Sequence, residues 1–188
     1  GWRTGHRSNL FPMALEMAKK GYVTLAIEYR LAHEKIFPAA VIDINNSIKW
    51  LKANAASYNV DTNKIALLGC SAGGQLASLV AYSEGENDFI DKSFQNFSTK
   101  VSAVVNIDGL MDFLGTGSEE FDEFPNPEKP RAAHQWFGYS QLERPDLWRK
   151  GSAINYITED SPPIIFINSS RPRFHAGRDE AISLLKQY

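Results

Sequence analysis

Residues 64–82, Lys64-Ile65-Ala66-Leu67-Leu68-Gly69-Cys70-Ser71-Ala72-Gly73-Gly74-Gln75-Leu76-Ala77-Ser78-Leu79-Val80-Ala81-Tyr82, decide the fold. A short apolar run, Lys64 to Leu68, reads as a buried strand. A second apolar run, Gln75 to Tyr82, reads as a helix. Between them lies Gly69-Cys70-Ser71-Ala72-Gly73-Gly74, of the form G-x-S-x-G. A serine on a sharp strand-to-helix turn is raised clear of the sheet, and its flanking glycines are expected because bulkier side chains would clash there. The backbone N–H groups that open the helix then face any negative charge that develops beside the serine.

Outward from this turn the same alternation continues. Ser8 or Asn9 is expected to cap a helix that runs to Lys20, with Gly21 as its stop. Tyr22 to Tyr29 reads as a buried strand, and Arg30 to Phe37 as a loop in which Arg30 is a structural anchor. Pro38 suits the first turn of a helix that extends to Ala55, in which Val41, Ile44, Ile48 and Leu51 share one face. Val101 to Ile107 and Ile164 to Asn168 are further apolar strands, and Asp179 to Tyr188 is a helix. Strands separated by helices imply an α/β domain, with a mostly parallel sheet and helices on both faces. Ligands bind beyond the carboxyl ends of such strands, where Ser71, Asp108 and the segment after Asn168 lie. Ser83 to Thr99 is polar and reads as a loop. Residues 115–156 break the alternation, and their prolines, acidic residues, Trp136, Phe137 and Trp148 suggest a helical, cap-like insertion.

Composition excludes several classes. With 188 residues, a net charge of −2 and 43% hydrophobic residues, the chain fits a single globular domain. No basic stripe suggests nucleic acid, and no apolar stretch is long enough to span a bilayer. Cys70 is the single cysteine, so no disulfide can form within the chain, and its expected role is packing. No grouping of His6, His33, His134 or His175 with cysteine or carboxylates has the spacing of a metal site, and no cofactor is expected.

Tyr29-Arg30-Leu31-Ala32, Phe37-Pro38-Ala39-Ala40, Asp43, Trp50-Leu51, Asp61, Lys64-Ile65-Ala66 and the Gly69–Gly74 turn together resemble the α/β-hydrolase fold. Within it they are similar to the esterases of the hormone-sensitive-lipase-like and acetyl xylan or feruloyl esterase branch. Gly1-Trp2-Arg3 is similar to the tail of that family's oxyanion loop, and Asn168 to Glu180 occupies the place of its acid-bearing loop. The resemblance implies a hydrolase fold truncated at both ends, with the catalytic histidine expected beyond Tyr188. It implies Ser71 as nucleophile, oxyanion donors at Ala72 and near Gly1, and the order Ser, acid, His along the chain. Asp179 is the first acid candidate, Asp108 the alternative and Glu180 an outsider. His175 keeps the chain order only with Asp108. The usual His-Gly-x-x-Asp pattern is absent.

The expected activity is hydrolysis of a short acyl ester, acetyl above all, on a small molecule or an oligosaccharide. The alternatives are a prolyl-oligopeptidase-like serine peptidase and a non-catalytic binding protein of the same fold. Trp2, Trp136 and Trp148 are expected to pack internally rather than stack on a sugar. The chain carries no signal that fixes its compartment or oligomeric state.

Overall fold

The computed structural model describes residues 1–118 and 131–188. Three strands, β1 (Ala66–Cys70), β2 (Ala103–Ile107) and β3 (Ile164–Ile167), form a parallel sheet in the order β1-β2-β3. Leu68 faces Val105 and Val105 faces Ile165, so residues of matching parity share a face across the sheet. Helix α1 spans Phe11–Lys19, α2 Ala39–Ala53, α3 Ala55–Tyr58 and α4 Ala72–Tyr82. Later in the chain come α5 (Ala132–Phe137), α6 (Pro145–Lys150) and α7 (Arg178–Leu185). The α/β architecture and the parallel sheet are those expected from the alternation of apolar runs.

Helix α4 packs on β1 and β2, and α2 lies against α4. Val104 and Asn106 of β2 point under α4 and are buried, as is Gly69 of β1. The opposite row is open: Leu68, Ile165 and Ile167 are 37, 55 and 50% exposed. In α2 the i, i+3, i+7 face is the buried one, with Val41, Ile44 and Ile48 in the core and Leu51 packed at its edge.

Two local expectations shift. Ser8 and Asn9 do not cap α1. His6 Nδ1 accepts the Ser8 amide at the start of a 3-10 turn (Arg7–Leu10), and α1 begins behind it. Residues 22–29 do not form a buried strand: they join no ladder among the described residues, and Tyr22, Val23 and Leu25 are 60, 55 and 45% exposed. Apolar composition reports a wish for burial, but a strand also needs a neighbour to take its backbone groups. Arg30 closes this run as the expected anchor, its backbone N–H and Nε both donating to the Asp43 carboxylate at 2.8 and 2.9 Å. The polar stretch 83–99 is irregular apart from a 3-10 turn at Asn87–Phe89.

The described part of the segment expected as a cap carries α5, α6 and a 3-10 turn (Ala153–Tyr156) joined by turns, and its residues 119–130 lie outside the described residues. Its aromatic side chains share the main core. Trp136, Phe137 and Trp148 are fully buried and pack with one another and with Phe113, Phe37 and Trp2 at centroid separations of 4.7–5.9 Å. Each buried ring of this size contributes about 1.5–3 kcal/mol through area alone. Their neighbours are other rings, so the indoles serve packing, as expected.

Burial also makes the fold sensitive to alkali. It pushes the Tyr29 and Tyr156 phenols up to about 12, and raises that of Tyr82 as well. The neutral phenol is the favoured form in the folded state. Its contribution is complete below the ordinary tyrosine value of about 10 and is lost as pH climbs through the folded value. The urea midpoint should therefore fall between about pH 10 and 12, together with the late part of the tyrosinate absorbance titration. A midpoint that stays level while these tyrosines ionise would contradict this linkage.

Candidate active site

The Gly69–Gly74 turn has the expected shape. β1 ends at Cys70, and Ser71 takes φ 56° and ψ −122° as the N-cap of α4. A non-glycine residue in that conformation is strained and must be held by its surroundings. Here the Ser71 N–H donates to Ile107 O at 2.7 Å, and Ser71 O accepts from the amides of Gly74 and Gln75 at 2.9 and 3.1 Å. The Ser71 side chain is exposed. Ala72 is the first helical residue, so the helix offers its amide no acceptor.

The glycine requirement is distributed differently from the motif. A Cβ at Gly69 would run into the Gly73 carbonyl and come within 2.7 Å of Gly74 N. A Cβ at Gly74 would sit 2.9 Å from Asn106 Oδ1 and 3.1 Å from Gly109 Cα. At Gly73 a Cβ meets nothing within 4 Å, so the clash expected on both sides of Ser71 holds at Gly69 and not at Gly73. Gly69→Ala should therefore cost about 3 kcal/mol or more, since the obstacle is backbone. Gly73→Ala, inside a helix, should be neutral or gain up to about 1 kcal/mol. Urea melts of the two variants check this, and equal midpoints would contradict it.

Asn106 ties the turn to β2. Its Nδ2 donates to Ser78 Oγ at 2.8 Å and Gly74 O at 3.3 Å, and its Oδ1 accepts the Gly109 amide at 2.7 Å. Asp108 lies two residues on, just past the end of β2, with φ 54°, and its carboxylate accepts the Ser169 amide at 2.6 Å. Ser71, Ala72, Asp108 and Gly1 line one cavity of about 390 Å³ at the carboxyl ends of the strands, where the fold places ligands. The first residues are fastened there: Tyr29 Oη donates to Gly1 O at 3.2 Å, Ala32 N to Trp2 O at 2.8 Å, and Trp2 Nε1 to Gln75 Oε1 at 2.9 Å.

The remaining candidates lie apart. Asp179 is outside the cavity wall, in the first turn of α7, with its side chain 73% exposed. It accepts from Arg178 Nε at 2.8 Å, and that hydrogen bond holds its carboxyl below the usual range. Glu180 is exposed beside it. His175 Nε2 meets Ser169 O at 2.8 Å, and His134 is buried against Trp148. His6 pairs with Glu28, and His33 is exposed. Among the described residues no histidine lines the cavity, no group of three or more His, Cys, Asp or Glu forms a metal cluster, and no helix is long and apolar enough to cross a membrane.

Comparison with known sequences matches the BD-FAE profile over residues 1–175. The chain belongs to the BD-FAE family. This BD-FAE chain is 29% identical over 171 residues to Esterase LipC of Mycobacterium tuberculosis, a stretch covering 90% of the chain and 41% of LipC. It is 34% identical over 169 residues to the probable carboxylic ester hydrolase LipM of the same organism, covering 89% and 38%. The chain thus spans about two fifths of the length of these relatives. Among solved structures it is similar to a bifunctional GH43-CE protein of Bacteroides eggerthii, with TM-score 0.83 and 25% identity over 98% of this chain and 28% of that one. It also shares the fold of an acetyl ester-xyloside bifunctional hydrolase of Caldicellulosiruptor lactoaceticus, with TM-score 0.72, 21% identity and coverages of 99% and 63%. Family membership accords with the hydrolase resemblance read from the Gly69–Gly74 turn and its neighbours.

Proposed function

We propose that the protein carrying this chain is a serine carboxylesterase that cleaves short acyl esters, acetyl esters of carbohydrates in particular. One observation carries the reading: an exposed serine is held in a strained turn beside an uncommitted helix-opening amide, at the mouth of a cavity. The relatives named as esterases support it.

The chemistry takes two steps. Ser71 Oγ bonds to the ester carbonyl carbon as its proton passes to a histidine base, and the carbonyl oxygen becomes an oxyanion. The Ala72 N–H, with a second donor from the Gly1 segment, holds that oxyanion. Collapse breaks the bond to the alcohol oxygen, which leaves with the proton from the base. Water then repeats the sequence and frees the acid and Ser71. His175 is not among the described lining residues of the cavity and its Nε2 meets Ser169 O, which supports a base other than His175.

A carboxylate is needed to orient the histidine, and Asp108 is the better placed of the two candidates. It shares the cavity with Ser71 and is fixed by a backbone amide, whereas Asp179 is spent on Arg178 in solvent. A fluorophosphonate probe on the full reading frame that carries these residues tests the nucleophile, with the modified peptide read by mass spectrometry. Label on Ser71 is expected. Intact protein that takes up no label there would overturn the esterase reading, and with it the peptidase alternative, leaving a binding protein of the same fold. Turnover of peptides but not of acetyl esters would favour the peptidase.

A further inference from the structure

Gln75 is the fourth residue of α4, one helical turn after Ser71, and its backbone N–H donates to Ser71 O at 3.1 Å. Its side chain is fully buried. A buried amide must find partners for both its oxygen and its nitrogen. Gln75 Oε1 accepts from Trp2 Nε1 at 2.9 Å, and Gln75 Nε2 donates to Gly151 O at 2.9 Å. These partners are 73 and 76 residues away along the chain. An indole N–H can only donate and a carbonyl can only accept, so the amide has one orientation here. Methionine, of similar length, would serve neither partner.

Both partners matter for the site. Gly1 and Trp2 line the cavity together with Ser71 and Ala72. The bonds from Tyr29 Oη to Gly1 O and from Ala32 N to Trp2 O lead to residues outside the sheet. The Trp2–Gln75 bond leads instead to α4, the helix that Ala72 opens. At the other end, Gly151 caps α6 and is crowded by Phe137, whose Cζ would lie 2.6 Å from a Cβ there. The amide is thus anchored on a carbonyl that has little room to move. An oxyanion needs both of its donors within hydrogen-bonding reach at once, and a misplacement of about 1 Å can cost about a hundredfold in rate.

Resting on the esterase reading, we propose that Gln75 is a positioning residue for the oxyanion site. By holding the Trp2 indole it fixes the Gly1 segment against α4, and so sets the spacing between the Ala72 N–H and the second oxyanion donor.

The test uses the full reading frame, with phenyl acetate as substrate and trifluoroacetophenone as inhibitor. Ser71 Oγ adds to the ketone carbon, its proton passes to the histidine base, and the adduct carries the oxyanion without a leaving group. Gln75→Met should lower kcat by about tenfold to a hundredfold, with KM within about twofold of the parent. Affinity for the ketone should fall by the same factor as kcat/KM, because adduct and transition state both need the two donors. Trp2→Phe keeps a ring but removes the indole donor, and should act alike. The double variant should lose no more than the larger single loss, since both changes cut one link. Should urea melts show that Gln75→Met does not fold, Trp2→Phe decides by the same readouts. Folded variants with parental kcat, losses confined to KM, unchanged ketone affinity, or fully additive losses would each overturn the proposal and leave Gln75 a packing residue, with the esterase reading intact. A folded parent that neither hydrolyses the ester nor takes up the phosphonate would overturn the esterase reading itself, and this inference with it.

Discussion

Ser71→Ala is expected to lower kcat for a simple acetyl ester by about 10⁵–10⁶-fold, because loss of the nucleophile removes the acyl-enzyme route altogether. Substrate binding should change little, since the change removes one small group from a cavity wall built by many residues. The fold should persist: Ser71 is exposed, and its structural bonds are made by its backbone N–H and C=O. The turn should hold its geometry too, because Gly69 and Gly74 leave room for the close backbone approach. A variant that melts like the parent, no longer takes up the phosphonate and retains less than about a thousandth of the turnover would fit this account. Retention of a tenth or more of kcat would require another nucleophile, and Thr4 carries the other hydroxyl among the described lining residues.

The second large effect is expected at Asp108. With asparagine there, a histidine base would lose both its orienting partner and the charge that stabilises the imidazolium. In serine triads such a change costs about 10⁴ in kcat while leaving geometry intact. Asp108→Asn preserves the side-chain oxygen that accepts the Ser169 amide, so folding should be spared. Asp179→Asn should change turnover by less than about threefold, because it removes an exposed ion pair with Arg178 of the kind that contributes little. Steady-state kinetics of the two variants, side by side, decide the matter. A collapse with Asp179→Asn and near-normal turnover with Asp108→Asn would reverse the assignment and restore the acid first expected from the loop after β3.

These expectations differ in how far sequence could carry them. The Gly69–Gly74 turn was legible because its determinants are contiguous: an apolar strand, a glycine that cannot bear a Cβ, a serine and an apolar helix within 19 residues. The three ladder strands were legible as short apolar runs, within two residues of their ends. Residues 22–29 carry the same signal yet pair with nothing described, since composition cannot report a neighbour. The support beneath the elbow was hidden for a related reason. Asn106, Gly109 and Gly74 are up to 35 residues apart, and only the fold reveals that a side chain at Gly109 would strike the α4 backbone. Asp179 looked favourable by position after β3, but its neighbour Arg178 captures it, a contact that chain order does not disclose.

The buried ring cluster gives the molecule an optical reporter of its own. Trp2, Trp136 and Trp148 belong to one ring cluster, and Trp2 joins the cavity wall to α4 through Gln75. Emission from these indoles, shielded from quenchers in water, should redden and weaken when the chain's first residues detach from α4. The seat of the proposed oxyanion donor can thus be watched by light alone, with no ligand added.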